Sequence, residues 1–283
     1  MPMPRPEILI DGLTFPEGPR WHQGRLWFSD FYSHRVIAAD CDGATETVCE
    51  VANQPSGLGW LPDGRLLVVS MTDSTVLRLD PGGLVLHADL SGLARFWCND
   101  MTVDEAGRAW VGNFGFDYRS GEEPRTTTLV RVDPDGTAAV AADDLFFPNG
   151  IAITPDGSTL VVAESWGRRL TAFDITAGGE LVARRSWADG GYTWVPDGIC
   201  MDAEGAVWIA DPVNKEVLRI RNGGAVAERY STGERGAYAV ALGGADRRTL
   251  FICTNIWRNS DRVGNPTGRI ETMRVEVPGA GRP

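Results

Sequence analysis

The stretch DGICMDAEGAVWIAD, residues 197–211, reads as two short apolar runs joined by a glycine-containing turn, the pattern of a β-hairpin. Five other segments have the same shape. They are EGPRWHQGRLWFSD (17–30), SGLGWLPDGRLLVVS (56–70), NDMTVDEAGRAWVGN (99–113), NGIAITPDGSTLVVAE (149–164) and YAVALGGADRRTLFICT (238–254). The copies begin near residues 17, 56, 99, 149, 197 and 238, at intervals of 39, 43, 50, 48 and 41 residues. A third strand-like run follows several of them, as in STVLRLD (74–80), TTLVRVD (127–133), RLTAFDI (169–175) and EVLRI (216–220). Antiparallel units recurring at this period are the signature of propeller blades. Six of them closed in a ring predict an all-β, six-bladed β-propeller, in which closure hides nearly all strand edges. An open sandwich of six hairpins is the alternative. EILI (7–10) and GRIETMRVEV (268–277) are strand-like, so one can complete the other's blade and shut the ring. No linker or charge block interrupts the chain, which predicts a single domain over residues 1–283.

The totals fit a globular protein with a real core, 43% hydrophobic and 23% charged. A net charge of −11 with dispersed acids argues against nucleic-acid or anionic-membrane partners, which need clustered Lys and Arg. No apolar run reaches the ~20 residues of a membrane span. The opening MPMPRPEILIDG lacks the apolar stretch of a secretion signal, so the expected location is the cytoplasm. The five cysteines are widely spaced with no CxxC pair, which indicates neither a disulfide framework nor a thiolate zinc site. Three histidines, His22, His34 and His87, with no G-x-S-x-G elbow, give no clear Ser-His-Asp order.

In a propeller the first strand of each blade lines the central channel, and equivalent residues form a ring about its axis. The residues that open those strands are Glu17, Ser56, Asn99, Asn149, Asp197 and Tyr238. Every one carries a side-chain oxygen. Any one of them alone reads as a turn residue or a solvated acid. Six oxygens at one position suit a hard divalent cation, whose charge two carboxylates would balance. Without a cation, buried Glu17 and Asp197 would repel each other and one would take up a proton.

With these residues in hand, the chain resembles the senescence marker protein / gluconolactonase / luciferin-regenerating enzyme family, and more distantly the paraoxonases. FPEGPRW, NDMTVDEAGRAWVGNFGFD, FPNGIAITPDGSTLVVAES and PDGICMDAEGAVWIAD carry the resemblance, in this order and spacing over essentially the whole chain. It implies that Glu17, Asn149 and Asp197 hold one divalent metal and that Asn99 approaches the metal or the substrate. Calcium is the first expectation, with manganese, iron(II), magnesium or zinc as alternatives. Sugar lactonases of the family often carry an arginine two residues before the NDM asparagine. Here that slot is Trp97, with Arg95 two residues further back. The segments expected near the channel mouth are also aromatic: FYSH (31–34), NFGFDY (113–118), ESWG (164–167), YTW (192–194) and NIW (255–257). Trp97, Phe114, Trp166 and Trp194 therefore join Asn99 as expected substrate contacts, and favour an apolar or weakly hydroxylated lactone.

The expected reaction is metal-dependent hydrolysis of a lactone to a hydroxy acid, by a monomer or small homo-oligomer. Asp197 is the candidate base, with Glu17 as the runner-up. The alternatives are another propeller enzyme, either an ester hydrolase or a strictosidine-synthase-like condensing enzyme, and a propeller that binds metal without turnover.

Overall fold

A computed structural model describes residues 6–256 and 266–281. The first strand, β1 (Glu7–Leu13), stands apart from the four that follow it in sequence, because its pairing partner lies at the other end of the chain. The first blade contains β2 (Pro16–His22), β3 (Arg25–Asp30), β4 (Arg35–Ala39) and β5 (Thr45–Glu50). The second contains β6 (Pro55–Trp60), β7 (Leu66–Ser70), β8 (Thr75–Asp80) and β9 (Gly83–Asp89). The third contains β10 (Cys98–Val103), β11 (Ala109–Asn113), β12 (Thr127–Val132) and β13 (Ala138–Leu145). The fourth contains β14 (Pro148–Ile153), β15 (Thr159–Glu164), β16 (Arg169–Ile175) and β17 (Leu181–Asp189). The fifth contains β18 (Ile199–Met201), β19 (Val207–Asp211), β20 (Glu216–Ile220) and β21 (Val226–Ser231). The sixth contains β22 (Gly236–Gly243), β23 (Thr249–Asn255) and β24 (Gly268–Arg274), with β1 as its outermost strand. All pairings are antiparallel, and the fold is the expected six-bladed β-propeller.

The ring shuts as EILI and GRIETMRVEV suggest. Glu7 faces Thr272 and Leu13 faces Gly268, so the N-terminal strand is held by the last blade. The apolar cores lie between neighbouring blades. One cluster joins Ala152, Val161 and Leu170 of the fourth blade to Ile199, Ile209 and Leu218 of the fifth. The second strands of the fourth and fifth blades are buried on both faces, which is why VVAE and VWIAD read as apolar runs. Of the five cysteines, all are free, and only Cys98 and Cys253 are buried. Among the described residues, no helix is long and apolar enough to cross a membrane.

Candidate metal centre

The first strands crowd around the axis, and two glycines make that approach feasible. A Cβ at Gly150 would meet Ile199 N at 2.5 Å, and one at Gly198 would meet the Ala239 side chain at 2.5 Å. In place of side chains, Gly150 N–H donates to Asp197 O at 3.2 Å and Gly198 N–H donates to Tyr238 O at 2.8 Å. The strands are thereby linked blade to blade at the level of the expected ring.

At that level the ladder between first and second strands slips. Register shifts fall between Glu17 and Arg20, Pro55 and Leu58, Cys98 and Met101, Pro148 and Ile151, and Ala237 and Ala239. A bulge re-aims a side chain that regular pleating would direct into a blade interface. In the fifth blade β18 begins only at Ile199, so Asp197 precedes the ladder. The expected ring residues Glu17, Asn99, Asn149, Asp197 and Tyr238 come together on the wall of one cavity of about 390 Å³. Ser56 lies behind it, 2% exposed, and its hydroxyl donates to Asn99 Oδ1 at 3.3 Å.

The electrostatics of this cavity floor are unfavourable to two free carboxylates. The Glu17 carboxyl is held well above the usual carboxylate range, first by burial and then by the charges of Asp197 and Asp100. Burial likewise holds Asp197 well above its usual range, with Asp100 and Asp211 adding to it, against a hydrogen bond from Asn149. Burial, followed by the charges of Asp197 and Glu17, raises the Tyr238 hydroxyl. Three groups thus lose affinity for a proton only if positive charge arrives.

The orientation of Asn149 is fixed by its neighbours. Ser165 Oγ donates its proton to Pro196 O at 2.7 Å, so it can only accept from Asn149 Nδ2 at 3.1 Å. The same Nδ2 donates to Asp197 Oδ1. Asn149 Oδ1 has no hydrogen bond among the described residues and belongs to a side chain on the cavity wall. The donor set at the floor is therefore two carboxylates and one carboxamide oxygen. It is all oxygen and doubly negative when ionised, which fits a hard dication.

Beneath the ring, Arg20 and Asp100 close the channel. Arg20 Nη2 bonds Asp100 Oδ1 at 2.7 Å and also Met101 O, and both side chains are 5% exposed. Arg20 offsets the third carboxylate, leaving Glu17 and Asp197 as the uncompensated pair. Further along the same strands only about 40 Å³ of space remains, lined by Arg20, Thr102, Ala152 and Cys200 among others.

A second polar level holds the floor in place. Asp30, Glu164 and Asp211 end the second strands of the first, fourth and fifth blades, and each is 0% exposed. Asp30 Oδ1 accepts from Thr14 N at 2.9 Å and Phe15 N at 2.6 Å, on the approach to Glu17. Glu164 Oε2 accepts from Phe146 N at 2.8 Å, on the approach to Asn149. Asp211 Oδ2 accepts from Val195 N at 2.9 Å, on the approach to Asp197. The matching positions in the other blades are the uncharged Ser70, Asn113 and Asn255. Carboxylate clamps occur where the candidate ligands are. Their signal in the sequence is the polar residue that ends each repeated unit, which the motif reading passes over.

The remaining expected contacts divide. Phe114 and Trp166 line the cavity: Phe114 stacks on Phe147 at 4.7 Å, and Trp166 is 46% exposed at the mouth. Trp97 does not line it. Trp97 stacks on Phe96 at 4.8 Å and carries the Arg119 guanidinium 4.7 Å from its ring centre. Trp194 does not line it either, since it is 1% exposed in the core between the fourth and fifth blades. Its aromatic neighbourhood in the sequence reflects blade packing. Arg95 is exposed and away from the cavity, and none of the three histidines reaches it. Trp257 of the NIW segment lies outside the described residues. The motif reading missed Ser165, Arg119, Arg168 and the Arg20–Asp100 pair, all of which act through partners distant in sequence.

The chain is 27% identical to the pentonolactonase XacC of Haloferax volcanii, over 94% of this chain and 92% of that protein. It is 27% identical to a 6-deoxy-6-sulfogluconolactonase of Pseudomonas putida, over 94% of this chain and 93% of that protein. Among solved structures, regucalcin from Agrobacterium tumefaciens superposes with a TM-score of 0.82 at 23% identity, covering 98% of this chain and 96% of that one, a likeness of fold. The profile described as SMP-30/Gluconolactonase/LRE-like region matches residues 15–256. With the propeller, the oxygen-lined floor and this match over most of its length, the chain belongs to the SMP-30/gluconolactonase/LRE-like family.

Proposed function

We propose that the protein is a lactonase that opens a cyclic ester to a hydroxy acid at the floor of the 390 Å³ cavity, with one divalent metal ion held by Glu17, Asn149 and Asp197. The observation that carries this reading is the placement of two carboxylates, the buried Glu17 and the partly buried Asp197, on one cavity wall beside a carboxamide whose oxygen has no hydrogen bond among the described residues. The relatives named as lactonases support the reaction class. When bound, such an ion polarises a carbonyl oxygen and stabilises the negative charge that develops on it. Calcium is the first choice for an all-oxygen donor set, with manganese, iron(II), magnesium and zinc as alternatives.

The chain's own residues supply the rest. Phe114, Phe147 and the ring of Tyr238 offer an apolar wall against which a lactone body packs. Asp197 is assigned as the base. It takes a proton from the attacking water as the new C–O bond forms, and returns it to the ring oxygen as the ester C–O bond breaks. Glu17 is the alternative for that role. Asn99 and Tyr238 face the same space and orient the substrate. Ser165 keeps the Asn149 amide turned so that its oxygen faces the cavity.

The test is acid release from a panel of lactones by protein stripped with a chelator and then refilled with each dication separately. Loss of turnover on stripping and recovery with one ion is the expected result. Tight binding of a dication with no lactone opened would overturn it.

A further inference from the structure

Among the described residues, two basic side chains line the cavity, Arg119 and Arg168, and both sit toward its exposed end beside Tyr118 and Trp166. Neither guanidinium pairs with a carboxylate among the described residues, in a chain with 38 acidic and 27 basic side chains. Acids stand close by in both loops, but Asp117, Glu122, Glu164 and Asp189 are engaged elsewhere and Glu123 is exposed to solvent.

In the loop after β11, Asp117 Oδ1 accepts the backbone N–H groups of Arg119 at 3.0 Å and Ser120 at 3.2 Å. Glu122 Oε2 accepts Asp117 N–H at 2.7 Å, and the same carboxylate pairs with Arg125. In the turn between β15 and β16, Glu164 is taken by Arg169, with Nε and Nη2 each at 2.8 Å. Asp189 Oδ1 is taken by Gly191 N–H at 2.9 Å. Each loop thus folds on its own acids and leaves one guanidinium unneutralised at the cavity.

Both guanidiniums are also supported by aromatic faces. Arg119 lies 4.7 Å from the Trp97 ring centre, and its Nε is 3.4 Å from Tyr118 Oη. Arg168 lies 5.5 Å from the Tyr192 ring centre. Stacking holds the plane of a guanidinium, and the hydroxyls of Tyr118 and Tyr32 that Arg119 also hydrogen-bonds are neutral, so both guanidiniums keep their charge for an oxyanion. The cavity is therefore negative at its floor, apolar along its wall and positive at its mouth.

We infer that the substrate is a lactone bearing an anionic substituent, a carboxylate, sulfonate or phosphate, that Arg119 and Arg168 hold while the ester carbonyl points to the floor; this assignment rests on the lactonase reading above. Tyr238 lines the same cavity as Glu17 and Asp197 of the floor and Tyr118 of the mouth. Trp97 then bears on substrate choice through Arg119, as a positioning residue.

The test compares γ-butyrolactone with 5-oxotetrahydrofuran-2-carboxylate and with (5-oxotetrahydrofuran-2-yl)methanesulfonate on the metal-loaded protein. The readout is the ratio of kcat/KM for each anionic lactone to that for the neutral one. The ratio is expected to exceed tenfold for at least one anion, and which anion is preferred separates carboxylate from sulfonate recognition. Arg119→Met and Arg168→Met are each expected to lower it about ten- to a hundredfold, the range for a lost hydrogen-bonded charge pair. Arg119→Lys keeps the charge without the planar fork and is expected to recover only part of the loss. Thermal unfolding checks that the variants fold, and a ratio that falls as salt is raised supports the charge contact. Equal kcat/KM for neutral and anionic lactones, unmoved by either Met variant, would overturn the anion assignment and leave the lactonase reading standing. If none of the three lactones nor any in the wider panel is opened, both readings fall.

Discussion

Replacing Asp211 by Asn removes one negative charge from a fully buried group and changes almost nothing in volume. The carboxylate accepts four hydrogen bonds: Val213 N and Asn214 N on Oδ1, each at 2.9 Å, and Val195 N at 2.9 Å and Asn214 Nδ2 at 2.8 Å on Oδ2. An amide offers one acceptor and one donor end, so either orientation keeps two of these bonds and sets N–H against N–H at the others. Asn214 cannot turn its own amide to relieve this without giving up Thr193 O, which its Nδ2 reaches at 3.1 Å. Hydrogen bonds to a charged acceptor contribute about 1.5–3 kcal/mol each, so losing two with some relaxation costs about 3 kcal/mol. At about 2–4 °C per kcal/mol, the expected drop in Tm is roughly 6–12 °C. Val195 is the anchored residue two positions before Asp197, so metal affinity is expected to fall about ten- to a hundredfold, as for other groups that orient ligands. The assays are thermal unfolding followed by circular dichroism, and calcium titration calorimetry at a temperature where the variant is folded. The control is Asn113→Ala, which removes bonds to Thr128 O and Thr127 Oγ1, both 2.7 Å, at the matching position of a blade without a candidate ligand. It should lower Tm while leaving calcium affinity within about twofold. If Asp211→Asn behaves like that control, the clamp is structural only and the reasoning fails.

Two further outcomes follow from charges at the axis. Glu17 and Asp197 are both held above their ordinary range, so the metal-free folded state binds protons more tightly than the unfolded chain. Their contribution to stability is present below the ordinary carboxylate range, about pH 4, and is lost as pH rises through the raised folded values. Unfolding curves of chelator-treated protein at several pH values should show this slope, Glu17→Gln should reduce it, and metal binding should release protons to the buffer; parallel curves for wild type and variant would refute it. Arg20→Met strands Asp100 in the channel without its partner and should cost about 3–5 kcal/mol, whereas adding Asp100→Asn should recover much of the loss. A double variant no more stable than Arg20→Met would show that the pair is not what holds the channel closed.

Much of this molecule is legible along the chain because its information is periodic. Alternation within DGICMDAEGAVWIAD sets a hairpin, and six copies at similar spacing leave closure into a ring as the way to hide their edges. The same periodicity identifies one residue per blade at the axis, with Glu17, Asn149 and Asp197 among the six, and the family resemblance singles out these three as the expected metal ligands. Aromatic residues misled where the two uses of a large apolar ring look alike in sequence. Trp166 reaches the cavity mouth and Trp194 wedges between blades, yet both sit beside glycine-rich turns.

What only tertiary structure decided are the relations between loops that the repeat does not encode. The sequence by itself determined the number of blades, the strand that closes the ring and the oxygen-bearing level, since each follows from local pattern and its repetition. The turn of the Asn149 amide depends on Ser165 and Pro196, and the pairing of Arg20 with Asp100 joins strands of different blades. That Arg119 and Arg168 have no carboxylate partner among the described residues depends on which nearby acids their own loops have already taken. Hydrogen bonds and ion pairs of this kind are fixed by distance and direction in space, so partners far apart in the chain leave no periodic mark on it.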